Sequence, residues 1–329
     1  RIRVRGHCPH QSGTAVTAIR HDSGSLVMAG GADSYEYIDF CRLNYLHGIY
    51  IPENDRLSRD RKLMLRPKIP IFQVDAFAHE PFIGNPAAIC LLENSMDGCW
   101  MQSIAAEMNL SETAFVLRRA DGFDLRWFTP TVEVDLCGHA TLAAAHILWE
   151  QHWLPASDDT QFHTRSGILG ARRDADRIIL DFPVADVEAI NAPAGLFQAL
   201  DIKVGNVYFN QVDYLVQLED EKDVLSLQPD FSALEKIKAR GIIVTAVSKH
   251  SECDFISRFF APASGIDEDP VTGSAHCSLT PFWAQRLGKK TLQAFQASRR
   301  GGKLTVQLQG KRVKLAGQAI TVFGGELYV

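Results

Sequence analysis

Two segments of this chain share one construction. Asp135-Leu-Cys-Gly-His-Ala-Thr141 and Asp267-Glu-Asp-Pro-Val-Thr-Gly-Ser-Ala275 each place an acid and a glycine ahead of an apolar stretch. The stretches are predicted to be helices over Ala140–Trp149 and Ala275–Leu287. A glycine-led helix start offers backbone N–H groups without intrahelical partners and the positive end of the helix dipole, so it attracts a carboxylate or phosphate. Two such starts, about 130 residues apart, predict duplicated halves facing one another across a shared anion-binding cleft.

Length and charge narrow the classes of function. A chain of 329 residues is long enough for about two domains with sizeable cores. The net charge of −5, with no basic stripe interleaved with aromatics, argues against a nucleic-acid partner. No run approaches the roughly 18 apolar residues of a membrane span, so no membrane partner is expected. Seven cysteines (Cys8, Cys41, Cys90, Cys99, Cys137, Cys253 and Cys277) are an odd number without a C-x-x-C pair. That pattern fits reduced thiols better than a disulfide framework or structural zinc. The chain opens on Arg1 with no charged-then-apolar leader behind it, and the cytoplasm is the expected location.

Residues 1–66 read differently from the rest. They hold ten Lys/Arg and seven Asp/Glu, a balance of +3 that leaves −8 for the remainder. Their periodicity is poor, and Met64 lies just before the first clear strand. They are expected to be an extension outside the catalytic fold, with a docked regulatory arm as the alternative. The remainder divides into half-domains 67–185 and 186–329 near the Pro-, Asn- and acid-rich stretch Pro183–Ala192, and the last strand is allowed to return to the first half.

In the first half, strands are predicted at Ile69–Phe77, Ala87–Leu92, Thr113–Arg119, Phe123–Phe128, Ile168–Arg173 and Arg177–Phe182, with an amphipathic helix at Asp97–Met108. Alanine and leucine cover nearly every face of Ala140–Leu148, so that helix is expected to be wrapped on all sides. The second half repeats the plan. Strands are read at Val204–Phe209, Tyr214–Leu218, Gly241–Val247, Phe255–Phe260, Leu292–Gln296, Leu304–Leu308, Arg312–Leu315 and Ala319–Phe323, with short helices at Leu196–Leu200 and Phe231–Ala239. Many short strands around one buried helix per half define an α+β class. The expected architecture is two pseudo-symmetric domains, each a strongly curved, largely antiparallel or mixed sheet around a central helix.

Glu112 is the sharpest candidate for chemistry. It stands where a helix ends and an apolar strand begins, among Leu110, Ala114 and Phe115, where a carboxyl loses hydration and suits acid–base work. A turn carboxylate bonded to backbone is its structural alternative. Asp269 could hold a substrate amine or hydroxyl or exchange a proton, or it could simply cap the helix. Ser274 and the Gly273 N–H could bind a carboxylate, and His139 could donate to the same anion, although small residues and a histidine also suit plain packing there. Cys137, beside a helix start, is expected to have a lowered thiol pKa, which keeps a thiolate racemase base in view. Its mirror position is read as Asp269, so a two-thiol device is not expected. His139 and His146 are seven residues apart with no acid between them, unlike H-E-x-x-H, and no metal is expected. No P-loop, G-x-S-x-G elbow or G-x-G-x-x-G follows a strand, so no cofactor is expected.

Taken in order, these strings resemble the PhzF (phenazine biosynthesis-like) family: Val74-Asp-Ala-Phe77, Pro81-Phe-Ile-Gly-Asn-Pro-Ala-Ala88, Ser111-Glu-Thr-Ala-Phe115, Trp127-Phe-Thr-Pro130, Cys137-Gly-His-Ala-Thr141, Glu268-Asp-Pro-Val-Thr-Gly-Ser-Ala275, and Gln296-Ala-Ser298 with Arg300-Gly-Gly302. The match runs from about Ile69 to Val329 and leaves 1–66 without a counterpart. The resemblance implies a diaminopimelate-epimerase-like fold, a site between the halves and a homodimer. It also implies a cofactor-free isomerisation like that of trans-2,3-dihydro-3-hydroxyanthranilate, in which a glutamate moves a proton between ring carbons. The matching glutamate is Glu112, and the matching substrate-holding residues are His139, Asp269, Ser274 and the Gly273 backbone. A non-catalytic small-molecule or protein-binding member, and an amino-acid racemase using Cys137, stand as alternatives.

Overall fold

The computed structural model describes residues 18–20, 26–30, 34–37, 68–155 and 157–328. The chain separates into two units, Arg1–Arg66 and Pro67–Val329. In the first unit Ala18–Arg20, Leu26–Gly30 and Ser34–Tyr37 form a three-stranded antiparallel sheet. The remaining expectations for residues 1–66 fall outside the described residues.

The second unit repeats one topology twice. In the first half the paired strands run Ala319–Tyr328, Lys68–Ala76, Asn85–Leu92, Glu112–Arg119, Gly122–Phe128, Thr160–Thr164, Gly167–Asp174 and Arg177–Pro183. In the second half they run Glu188–Ala189, Asn206–Phe209, Asp213–Gln217, Gly241–Val247, Phe255–Phe260, Thr291–Gln296, Gly302–Gln309 and Arg312–Gly317. In both series the third and fifth pairings are parallel and the others antiparallel, so the sheets are mixed. The two final strands, Arg177–Pro183 and Arg312–Gly317, pair antiparallel with each other and join the halves through one run of hydrogen bonds.

Each half encloses one helix. Helix α1 (Gly98–Met108) lies on the outside of the first sheet, with Asp97 capping it through the Trp100 N–H at 2.9 Å. Helix α2 (Gly138–Glu150) is the enclosed one, and of its thirteen residues all but His146 and Glu150 are buried. Short helices α3 (Leu196–Ala199), α4 (Glu221–Ser226) and α5 (Phe231–Leu234) cover the outside of the second sheet. Helix α6 (Gly273–Leu287) fills its interior. Pro281 sits inside α6 and cannot donate to the carbonyl of Cys277, and that carbonyl accepts the Ala185 N–H at 3.2 Å instead. The segment linking the halves is therefore pinned to the second central helix. The interior of both halves is one continuous core, from Leu142 and Ile147 on α2 to Leu279, Phe282 and Trp283 on α6. Strands flanked by helices on both faces are apolar on both, as in Gly241–Val247, which is buried through Ala246.

Four of the five described cysteines, Cys90, Cys137, Cys253 and Cys277, are free thiols. Among the described residues no helix is long and apolar enough to cross a membrane.

Candidate functional site

The two central helices begin against each other. A Cβ placed on Gly138 would come 2.7 Å from the Gly273 Cα, and one on Gly273 would come 2.8 Å from the Gly138 Cα. Only two glycines allow this approach. Neither N-cap, Cys137 nor Thr272, makes a side-chain capping hydrogen bond. Two positive dipole ends therefore converge on one place, and no carboxylate caps either of them.

Around this junction lies a buried polar cluster drawn from both halves. Glu112 is the first residue of its strand, and its side chain is 13% exposed. Its Oε2 stands 3.1 Å from Nε2 of His139, on the first turn of α2. The two groups form a buried ion pair when the ring is protonated, and neither atom has another partner among the described residues. The other ring nitrogen of His139, Nδ1, lies 3.6 Å from Cys137 Sγ and 3.0 Å from Asn85 Nδ2. Asn85 is the hub between the halves, for its amide donates to Asp269 Oδ1 at 2.7 Å and to the Val271 carbonyl at 2.9 Å. Asn85 Oδ1 is also buried without a partner. Thr272 Oγ1 donates to the second oxygen of Asp269, and Gln296 secures the turn by donating to the Asp269 carbonyl and accepting the Thr272 N–H, both at 2.8 Å. A buried ion pair and an unpartnered amide oxygen in one cluster call for an explanation, since buried polar groups are nearly always fully satisfied.

The charges of the cluster follow from its burial. Burial alone would lower the pKa of His139, but the neighbouring Cys137 and Glu112 overcome it and hold the ring well above its usual value. Asp269 is pushed up to about 6, chiefly by burial and further by Glu112, against the pull of His139. The expected low thiol pKa of Cys137 is overturned: burial pushes it up to about 11, a larger effect than the nearby imidazole.

Two sequence readings of the second helix start also change. Asp269 does not cap α6, because Thr272 occupies the N-cap position. With Gly138 and Gly273 in corresponding places, the counterpart of Cys137 is Thr272 rather than Asp269. The duplicated acids differ as well. Asp135 is 72% exposed and lies near Arg165, whereas Asp269 is buried.

Ser274 stands on the first turn of α6, where its Oγ accepts from Arg240 Nη2 at 3.0 Å. Arg240, Asp213, Asn85 and Gln296 were given no role from sequence. Asn85 and Gln296 lie inside the recognised strings, but their partners are tens to hundreds of residues away and leave no local signal. Glu112, Cys137 and His139 are the described residues that could hold a metal ion, with donor atoms within 4.8 Å of one another. The thiol faces Nδ1 and the carboxylate Nε2, on opposite edges of one ring, which is unlike the shared vertex of a tetrahedral zinc site. Surface grooves of about 450 and 350 Å³ lie elsewhere, over Arg177 and Lys314 and beside His146 and Glu150.

A doubled mixed sheet around two central helices, with a polar cluster where the helices meet, is a diaminopimelate-epimerase-like fold. The sequence comparisons agree with the topology and are more specific. Residues 74–325 match the profile of the phenazine biosynthesis-like protein family (PhzC-PhzF), and the chain belongs to that family. It is 53% identical over 259 residues to an uncharacterized isomerase of Halalkalibacterium halodurans, covering 78% of this chain and 98% of that protein. It is 43% identical to a mouse phenazine biosynthesis-like domain-containing protein, covering 79% of this chain and 99% of that one. The crystal structure of a PhzF family protein from Enterococcus faecalis superposes with a TM-score of 0.75 at 43% identity, covering 80% of this chain and all of that one.

Proposed function

We propose that the chain is a cofactor-independent isomerase of a small carboxylate-bearing molecule, resembling trans-2,3-dihydro-3-hydroxyanthranilate. In this reading Glu112 takes a proton from one carbon and returns it to another. His139 and Asp269 orient polar groups of the substrate, and Ser274 with the Gly273 N–H anchors its carboxylate. The observation that carries the reading is the buried carboxylate–imidazole pair, Glu112 Oε2 and His139 Nε2 at 3.1 Å, beside two abutting helix starts. Such an arrangement holds a carboxylate and an imidazole together next to a place that favours negative charge. The relatives described as isomerases support the reaction class. The functional unit is residues 67–329, with halves 67–185 and 186–329, acting as a cytoplasmic homodimer; residues 1–66 stand outside it.

The test is uptake of solvent deuterium into metabolites of a cell extract incubated with the protein. Glu112→Gln is expected to abolish the uptake, because the amide cannot carry the proton. Cys137→Ser is expected to retain it, since a thiol held at about 11 is a poor base at neutral pH. Uptake that survives Glu112→Gln removes Glu112 from the mechanism. Loss in Cys137→Ser together with inactivation by thiol alkylation revives the racemase. Binding of carboxylates without any uptake identifies a non-catalytic member.

A further inference from the structure

The duplicated topology assigns a second-half counterpart to Glu112. Glu112 pairs in parallel with Ala87, and the corresponding parallel pair of the second half is Gly241 with Asp213. The residue next to that counterpart is Arg240. Its guanidinium is fixed by three hydrogen bonds. Nε donates to Asp213 Oδ1 at 2.9 Å, and Nη2 donates to Asp213 Oδ2 and to Ser274 Oγ, the latter at 3.0 Å. Asp213 is completely buried and is itself held by the Asn210 side chain, which accepts its N–H. The guanidinium lies over the Phe259 ring, 5.7 Å from its centroid, and that ring packs against Gly241 so closely that a Cβ there would fall 2.3 Å from its edge. The Phe259 carbonyl in turn accepts the Asp269 N–H at 3.0 Å.

One side of the guanidinium remains. The Arg240 side chain is 35% exposed, and Nη1 makes no hydrogen bond among the described residues. Two Nη1 donors of a guanidinium already ion-paired with Asp213 are thus held beside the first turn of α6 by a buried carboxylate that cannot turn away. An oxyanion seated on the helix starts gains neutral N–H donors from the backbone and a charge-assisted hydrogen bond from Arg240 Nη1.

We infer that Arg240 is the residue that selects a carboxylate over a neutral group in this site, with Asp213 as the residue that positions it. The inference rests on the proposed small-molecule site at the helix junction, and adds the source of its charge selectivity.

Calorimetric titration of the full chain with anthranilate and with anthranilamide tests it, because the two probes share a ring and differ by one negative charge. The wild type is expected to prefer anthranilate. Arg240→Gln is expected to weaken anthranilate binding by about 10- to 100-fold, leave anthranilamide nearly unchanged and reduce the salt dependence of anthranilate binding. Arg240→Lys keeps Asp213 neutralised and guards against loss of fold; with the charge but without the fork that fixes it to Asp213, its preference is expected to fall between the other two. A wild type without preference, an Arg240→Gln protein with the wild-type ratio, or an Arg240→Lys protein equal to wild type overturns the inference. The Glu112 reading fails separately: deuterium uptake that persists in Glu112→Gln leaves the anthranilate result standing.

Discussion

In the first half, the strand that follows the outer helix begins with Glu112; in the second half, the strand in the same topological place begins at Gly241, directly after Arg240. The backbone plan is the same, down to the positions of the parallel pairings, but the counterpart of Glu112 is a glycine and the residue before it carries the opposite charge. The difference extends to the helix starts. The first carries His139 and Cys137, with Glu112 facing the ring. The second carries Ser274 bonded to Arg240, with Asp269 turned inward to Asn85. Duplication thus supplies two equivalent places beside one junction, and divergence gives one half a carboxylate facing an imidazole and the other a guanidinium fixed to a buried carboxylate. In the proposed reading the first half performs the proton transfer and the second holds the anion.

The strongest way to break this comparison is at the junction itself. Gly138→Ala and Gly273→Ala each drive a Cβ into backbone, which cannot rotate aside, and each is expected to cost about 1–3 kcal/mol in urea unfolding. Because both press on the same contact, the double variant is expected to lose less than the two losses combined. Strict additivity would show that the glycines do not share one point of approach. A smaller effect should appear in pH dependence. Asp269, held at about 6 against its ordinary 3.8, keeps a proton in the folded state that the unfolded chain releases between those values, so stability falls as pH rises through that window. Asp269→Asn is expected to remove a slope of up to ~1.4 kcal/mol per pH unit there. His139 acts in the same direction at higher pH. Its raised pKa contributes stability that is complete below 6.5 and is lost as pH rises through the folded value, so His139→Gln is expected to flatten only the alkaline limb. The smallest effect is expected from Asp135→Ala, where loss of an exposed contact to Arg165 at 3.7 Å should change stability by less than about 0.5 kcal/mol. A large loss there would restore the equivalence of the two acids that the structure denies.

Much of the fold was legible because it depends on local pattern. The apolar runs at Gly241–Val247 and Phe255–Phe260 coincide with their strands residue for residue. Both enclosed helices were visible from composition alone, each starting two residues earlier than the apolar stretch because the glycine and its neighbour belong to the first turn. What failed had non-local causes. Thr160–Thr164 mixes polar and aromatic residues and is a strand only because Gly122–Phe128 and Gly167–Asp174 flank it. The helix expected over Phe231–Ala239 stops at Leu234, and the strand expected to end at Phe323 continues to Tyr328 through Gly324 and Gly325. Those glycines suit the strand because Gly324 lies against Phe72 of its partner, where a Cβ would come 2.8 Å from the ring. In the site, Glu112 stood out as a carboxyl among apolar neighbours, and His139 and Asp269 as polar residues at the two glycine-led helix starts. Asn85 and the Arg240–Asp213 pair did not, because their meaning lies in partners brought in from the far end of the chain or across a strand pairing.

The pairing of Ala319–Tyr328 with Lys68–Ala76 bears on how the chain assembles during synthesis. The outermost strand of the first half comes after the whole of the second half, so an emerging nascent chain holds Lys68–Ala76 with one side bare until residues 319–328 have been made. A ribosome stalled anywhere before residue 319 therefore carries an unsealed first half, and docking of the C-terminal ribbon is the step that closes it.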